Sequence, residues 1–224
     1  MNEFDLQHEG VRNLNQALHD ATNSGKQARV INPGGKHNVA TGACYDVEVE
    51  IHGHVGYYCA GMNQHASVTV HGNAGPGLAE NMMSGTVRVK GNASQYCGAT
   101  SHGGLLVIEG NAAARCGISM KGVDIVVGGS IGHMSAFMAQ SGRLVVCGDA
   151  GESLGDSIYE ARIYLRGKAA SLGTDCVEKP MQQEHVDELQ ELLNKASLSY
   201  EPSEFRRYGS ARKLYNFQID NVGA

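Results

Sequence analysis

The chain contains no tryptophan, only 6% aromatic residues and four prolines among 224 residues. A core without large rings must be built from small aliphatic side chains. No stretch approaches the ~20 apolar residues of a membrane-spanning helix. Residues 1–15 are polar with a charged, helix-like pattern where a secretion signal would carry an apolar centre. Both absences point to the cytoplasm. The six cysteines, Cys44, Cys59, Cys97, Cys116, Cys147 and Cys176, form no C-x-x-C pair, so reduced thiols are expected rather than a disulfide framework. A formal charge of -5 supplies no general attraction to nucleic acid or anionic lipid.

What the chain has in excess is glycine, thirty residues, and its placement is periodic. Gly53, Gly72, Gly91, Gly110, Gly129, Gly148 and Gly167 recur every 19 residues. Four and two positions before them stand Val49 and Ile51, Val68 and Val70, Val87 and Val89, and so on to Ile163 and Leu165, every one aliphatic. Polar residues such as Glu48, Glu50, Thr69 and Arg88 flank them, so each unit opens with a period-two strand that buries one face. Leu105, Val107, Val126, Val145 and Tyr164 break the polar outer pattern and imply a covered surface there. Small residues recur three and seven positions after the key glycine, among them Gly151 and Gly155. Sharp corners between coils stacked at about 4.8 Å require them. Asn73, Asn92 and Asn111 follow successive key glycines. Asparagine tolerates left-handed backbone angles, and such a row passes hydrogen bonds from coil to coil.

These features predict an all-β chain: a right-handed parallel β-helix of about seven 19-residue coils, with a short N-terminal helix and a C-terminal helix plus extended tail. The expected divisions are an N-terminal cap of helix, strand and turn over residues 1–45, the repeat body over 46–176, and a C-terminal helix with a docking tail over 177–224. Residues 200–220 read as irregular. Their aromatic and basic residues mark a docking segment, with Arg206, Arg207, Tyr208, Arg212, Lys213 and Tyr215 as the candidates. On that reading, truncation after Lys195 leaves a folded rod that no longer assembles. Asp46, Glu48 and Glu50 at one end, against Arg143, Arg162, Arg166 and Lys168 at the other, make the rod electrically polar along its axis.

Catalytic chemistry finds no foothold in the pattern. Cys59, Cys97 and Cys116 share one column, six residues after their key glycines, as buried apolar thiols would. His52 and His71 are adjacent in another column, but Lys90 and Glu109 follow them, so a solvated ladder is expected rather than a metal site. No Gly-x-Ser-x-Gly elbow occurs. The glycines of Gly75-Pro76-Gly77 and of residues 148–151 belong to the repeat, and no helix follows either to hold an anion. Asp46, Glu80, Glu109, Asp149 and Glu152 are too scattered to make an acid/base pair. No catalytic, cofactor-binding or metal-binding residue is assigned.

The Gly-x-x-Gly-x-x-x-Gly pattern, intact at Gly148, Gly151 and Gly155, resembles the β-helical GXGXG domain at the C-terminus of the glutamate synthase large subunit, over about residues 28–176. Val30-Ile31-Asn32 followed by His37-Asn38-Val39-Ala40-Thr41-Gly42 looks like the lead-in to that domain. The resemblance implies a non-catalytic spacer. It also implies partners: a class II glutamine-amidotransferase-like subunit, and a glutamate-synthase-like subunit holding FMN and an iron–sulfur cluster. The N-terminal Met1-Asn2-Glu3 lacks the cysteine nucleophile of that amidotransferase. As a separate chain it is similar to the β-helix subunit of N-methylglutamate synthase (methylamine–glutamate N-methyltransferase), and the stretch from Glu204 to Arg212 looks like the tail of such stand-alone proteins. The β-helical subunit of formylmethanofuran dehydrogenase looks like the same repeat. An autonomous binding β-helix is the third reading, although the aromatic and carboxylate-lined groove usual in such proteins is lacking.

Overall fold

The computed structural model describes residues 2–212. Its strands follow the repeat: β1 (Asn2–Asp5), β2 (Gln27–Ile31), β3 (Glu48–His52), β4 (Ser67–Val70), β5 (Thr86–Val89), β6 (Leu105–Ile108), β7 (Lys121–Val127), β8 (Ser141–Val146), β9 (Arg162–Leu165), β10 (Cys176–Lys179) and β11 (Arg206–Ser210). All eleven lie in one sheet, ordered β1 to β9 and then β11 and β10. From β1 to β9 every pairing is parallel. Val49 pairs with Val68, Val68 with Val87, and the column continues through Leu106, Ile125 and Leu144 to Ile163. Each step is one 19-residue unit, so the chain is a parallel β-helix of the expected period. Inward side chains form one continuous core along the axis. A further inward column, unnoticed in the sequence, lies two residues after the key glycines. Val55, Ala74, Ala93, Ala112, Ile131, Ala150 and Ala169 bridge from coil to coil there.

The glycines and asparagines turn out to be halves of one device. Asn92 N donates to Asn73 Oδ1, Asn111 N to Asn92 Oδ1 and Ser130 N to Asn111 Oδ1, each at 2.8 Å. Asp149 N continues the ladder to Ser130 Oγ, and Lys168 N to Asp149 Oδ1. Each ladder oxygen occupies the space where a side chain on the next key glycine would stand: a Cβ on Gly91 would lie 2.3 Å from Asn73 Oδ1. Close approach therefore demands glycine at that position. The asparagines themselves are not left-handed, contrary to expectation. In the coils the non-glycine residues with positive φ fall mainly five, seven and nine residues after the key glycine, as at Tyr96 (63°) and Thr100 (55°), with Gly98 (67°) between them.

Those left-handed positions explain the second small-residue column. Six of its seven members, Ala60, Ala79, Gly98, Gly117, Ala136 and Gly155, have positive φ, Thr174 of the last coil being the exception, and the three alanines are fully buried. A Cβ on Gly98 would stand 2.6 Å from Ile125 Cδ1. Left-handed geometry costs an L-residue roughly 1–2 kcal/mol. Coil-to-coil hydrogen bonds at these residues offset it, as in Tyr96 N to Ala114 O (3.1 Å), Gly98 N to Leu78 O (2.8 Å) and Thr100 N to Ile118 O (2.9 Å).

At the N-terminus, α1 (Val11–Leu18) buries Leu14 and Leu18, matching its helical spacing. β1 was not anticipated in a segment that reads as polar. It pairs in parallel with β2, Asn2 opposite Ala28, and its polar residues shield the first edge of the sheet. The C-terminal helix is α2 (Gln183–Ala196). Among the described residues no helix is long and apolar enough to cross a membrane.

Candidate functional site

The later coils carry the apolar outer face noted in the sequence, and the chain covers that face itself. Val107, Val126, Val145 and Tyr164 have no exposure and form a second core with Leu189, Leu192, Leu193 and Ala196 of α2 and with Phe205. The α2 spacing that marks an amphipathic helix thus finds its partner face within the same polypeptide. Arg88 on β5 closes the end of the helix, donating to Ala196 O at 3.0 Å and Lys195 O at 3.1 Å. Positive charge at a helix C-terminus is stabilising.

A polar seam borders this second core. Arg143 holds Asp124 in a two-pronged contact at 2.5 and 2.6 Å. Glu188 of α2 accepts from Arg143 at 3.2 Å, Arg162 at 2.9 Å and the Tyr164 hydroxyl at 2.5 Å. Burial pushes the Glu188 carboxyl up, but the Tyr164 hydroxyl and the two guanidinium groups outweigh it and hold the group below the usual range. For Asp124 the balance is reversed: burial prevails over Arg143, and its pKa is raised. Arg166 pairs with Glu204 at 2.7 Å and lies 4.6 Å over the Tyr200 ring. Three of the four basic residues expected to charge the far end thus have carboxylate partners. The positive charge of these three residues is thereby offset locally.

Residues 201–212 take up regular structure, which corrects the irregular reading of that part of the segment; residues 213–220 lie outside the described residues. A short 3-10 turn at Pro202–Glu204 leads into β11. This strand inserts between β9 and β10 and pairs antiparallel with both. Truncation after Lys195 would therefore remove a strand from the sheet together with Phe205 and Tyr208 from the two cores. It would not leave the rod intact.

Elsewhere, side chains fall in the columns that the repeat assigns. Cys59, Cys97 and Cys116 are wholly buried. Burial raises the Cys59 thiol to about 12, and the Cys116 thiol is raised by its hydrogen bond to Cys97 and by burial. His52 and His71 stack with ring centres 4.8 Å apart, and His71 contacts Glu50 of the preceding coil. Lys90, next in that column, pairs with Glu109 at 2.6 Å. Among the described residues no three His, Cys, Asp or Glu side chains are grouped to hold a metal ion. At the opposite corner of the early coils, Tyr57, Tyr58 and Met62 are exposed, and His37 stacks on Tyr57 at 4.5 Å.

The sequence has a full-length relative among known proteins. It is 60% identical over 224 residues to Protein GlxC of Rhizobium meliloti (strain 1021), a match spanning 99% of this chain and 98% of that protein. The chain belongs to the GlxC family. No family model matches it, and no solved structure does.

In this member of the GlxC family the expected docking residues divide. Tyr208 is 4% exposed and packs into the main core, so it serves the rod and is not a free docking side chain. Arg207 lies on the opposite side of β11, whereas Arg206 shares the Tyr208 side at the exposed start of the strand. Arg206 is exposed and donates to Gly167 O at 3.0 Å, while half-buried Arg207 donates through Nε to Pro180 O at 3.0 Å. Arg212 is exposed and paired with Asp175. Lys213 and Tyr215 lie outside the described residues. Strand alternation is the signal that would have separated Tyr208 from Arg207, but the sequence offers no partner strand to reveal it.

Proposed function

We propose that this protein is a non-catalytic coupling subunit of a glutamate-synthase-type complex. More specifically, the complex is N-methylglutamate synthase, which converts methylamine and glutamate to N-methylglutamate and ammonia. The β-helix holds an amidotransferase-like subunit and an FMN- and iron–sulfur-containing synthase subunit at a set separation. The chemistry belongs to those partners, and this chain supplies surface.

The observation that carries the reading is the register. The key glycines, the ladder side chains and the left-handed corner residues each have a coil-to-coil role, as a rigid spacer requires. The outward arginines at the β11 end remain as a charged contact surface. The resemblance to the GXGXG domain supports the choice of partners. The test is purification of the native protein under gentle conditions, with mass spectrometry of whatever accompanies it. Recovery with amidotransferase-like and flavin-containing subunits, and no turnover by this chain alone, is expected. An isolated chain that forms N-methylglutamate by itself would refute the proposal.

A further inference from the structure

The end of the rod carries a positive groove that the spacer role does not require. On its outward face, Lys179 of β10 and Arg207 of β11 are directly opposite each other in the antiparallel register. Like charges in that relation repel. Arg162 joins them from the adjoining strand: β11 places Arg207 opposite Tyr164, and Arg162 lies two residues before Tyr164, on the same face. Three cations from three neighbouring strands, together with Arg212 just past β11, thus border one cavity of about 280 Å³.

Two of the carboxylates nearby are engaged elsewhere. Glu188 meets Arg162 from the α2 side and Asp175 holds Arg212. Glu160 lines the cavity but forms no ion pair among the described residues, and neither Lys179 nor Arg207 has a carboxylate partner there. Burial lowers the Arg207 pKa, and with the Arg162 charge it outweighs the opposing pull of the Tyr164 group, Glu184 and Glu188.

The floor of the cavity points the same way. Gly209 lies opposite Val177, one pair along from Tyr208 and Glu178. Nothing in the fold demands glycine at this position: a Cβ would meet only Ala161 O and Lys179 Cγ, both at 3.8 Å, and φ is not in the left-handed range. A strand interior loses stability by having glycine, and such a residue often marks the close approach of another group. Here the missing side chain leaves open the space between the cations.

We infer that this groove binds an oxyanion, a carboxylate or phosphate group seated over Gly209 between Arg207 and Lys179. The group is either a free small anion or the acidic side chain of a docking protein. The site is a property of the folded chain and stands whether or not the assembly proposed above is correct.

Calorimetric titration of the full-length protein tests it, with inorganic phosphate and with an acetylated triglutamate peptide at constant ionic strength. Saturable binding of at least one is expected. It should weaken about tenfold or more in Arg207→Gln and Lys179→Gln, as loss of one charge-assisted contact implies. Gly209→Val keeps every charge but fills the floor, and should weaken binding comparably; Lys121→Gln, at the exposed start of β7 and outside the cavity lining, should not. Phosphate binding identifies a free-anion site, and binding of the peptide alone identifies an acidic segment of a partner. Binding of neither, or equal binding by the wild type and the two charge variants, overturns the inference. Should Gly209→Val fail to fold, the charge variants decide.

Discussion

Gly110→Ala adds one methyl group where the structure has no room. The new Cβ would stand 2.5 Å from Asn92 Oδ1 and 2.7 Å from Gly91 O, well inside van der Waals contact. Relief by sliding the coil is blocked. Gly110 N is bonded to Gly91 O at 3.0 Å and Asn111 N to Asn92 Oδ1 at 2.8 Å, so any shift loosens both bonds. Overpacking costs roughly 1–3 kcal/mol, and weakening these bonds adds about 1 kcal/mol. A total of about 2–4 kcal/mol corresponds to a fall in Tm of roughly 4–16 °C for a chain of this size. Asn92→Ala alone costs only about 0.5–1.5 kcal/mol, because the freed Asn111 N–H is at an exposed position where water replaces the lost acceptor. The double variant removes the nearer of the two clashing oxygens, so its loss should fall short of the sum by about 1 kcal/mol. Urea melts of the four proteins, compared at equal m, measure this cycle. A cost below ~0.5 kcal/mol for Gly110→Ala, or additivity within that margin, would refute the claim that glycine and ladder oxygen compete for one space.

Two further outcomes follow from the seam and the core. The Glu188 carboxyl is held below 4.5 in the folded protein, so the folded state favours its ionised form; that stability is fully present above pH 4.5 and is lost as pH falls through the lower folded value. Glu188→Gln should destabilise by about 1.5–3 kcal/mol near neutrality and flatten the acid limb of a stability–pH curve; an unchanged acid limb would count against the seam. Burial raises Cys59 and Cys147 to about 12 and Cys176 to about 11, leaving Cys44 as the one cysteine that is not buried. An aromatic disulfide reagent at pH 8 should label Cys44 quickly and the other five only as fast as the protein opens; rapid labelling of two or more would contradict the assignment of the thiols to the core.

Much of this molecule is legible in its residues because a solenoid repeats one local solution. A side chain's face is set by period-two alternation and its coil by the 19-residue spacing. The columns Val49 to Ile163 and Ile51 to Leu165, the stacked His52 and His71, and the inward Cys59, Cys97 and Cys116 therefore follow without any long-range information. The covered outer face was readable too, since Val107, Val126 and Val145 are out of place in a solvated strand.

What covered that face was not readable. The α2 stripe is compatible with any apolar partner, and only the folded chain assigns it to β6 through β9. Likewise β11 joins the sheet antiparallel between β9 and β10, outside the repeat, and only that pairing sends Tyr208 into the core while leaving Arg207 outward beside Lys179 and Arg162. The left-handed corners escaped for another reason: Tyr58, Arg115 and Met134 are residues that local preference would not put there, and bonds to neighbouring coils hold them. By itself, the sequence determined the rod and its phase, because both follow from short-range periodicity. Tertiary structure decided how the rod ends and which charges face outward there, because those depend on contacts between segments with no common period.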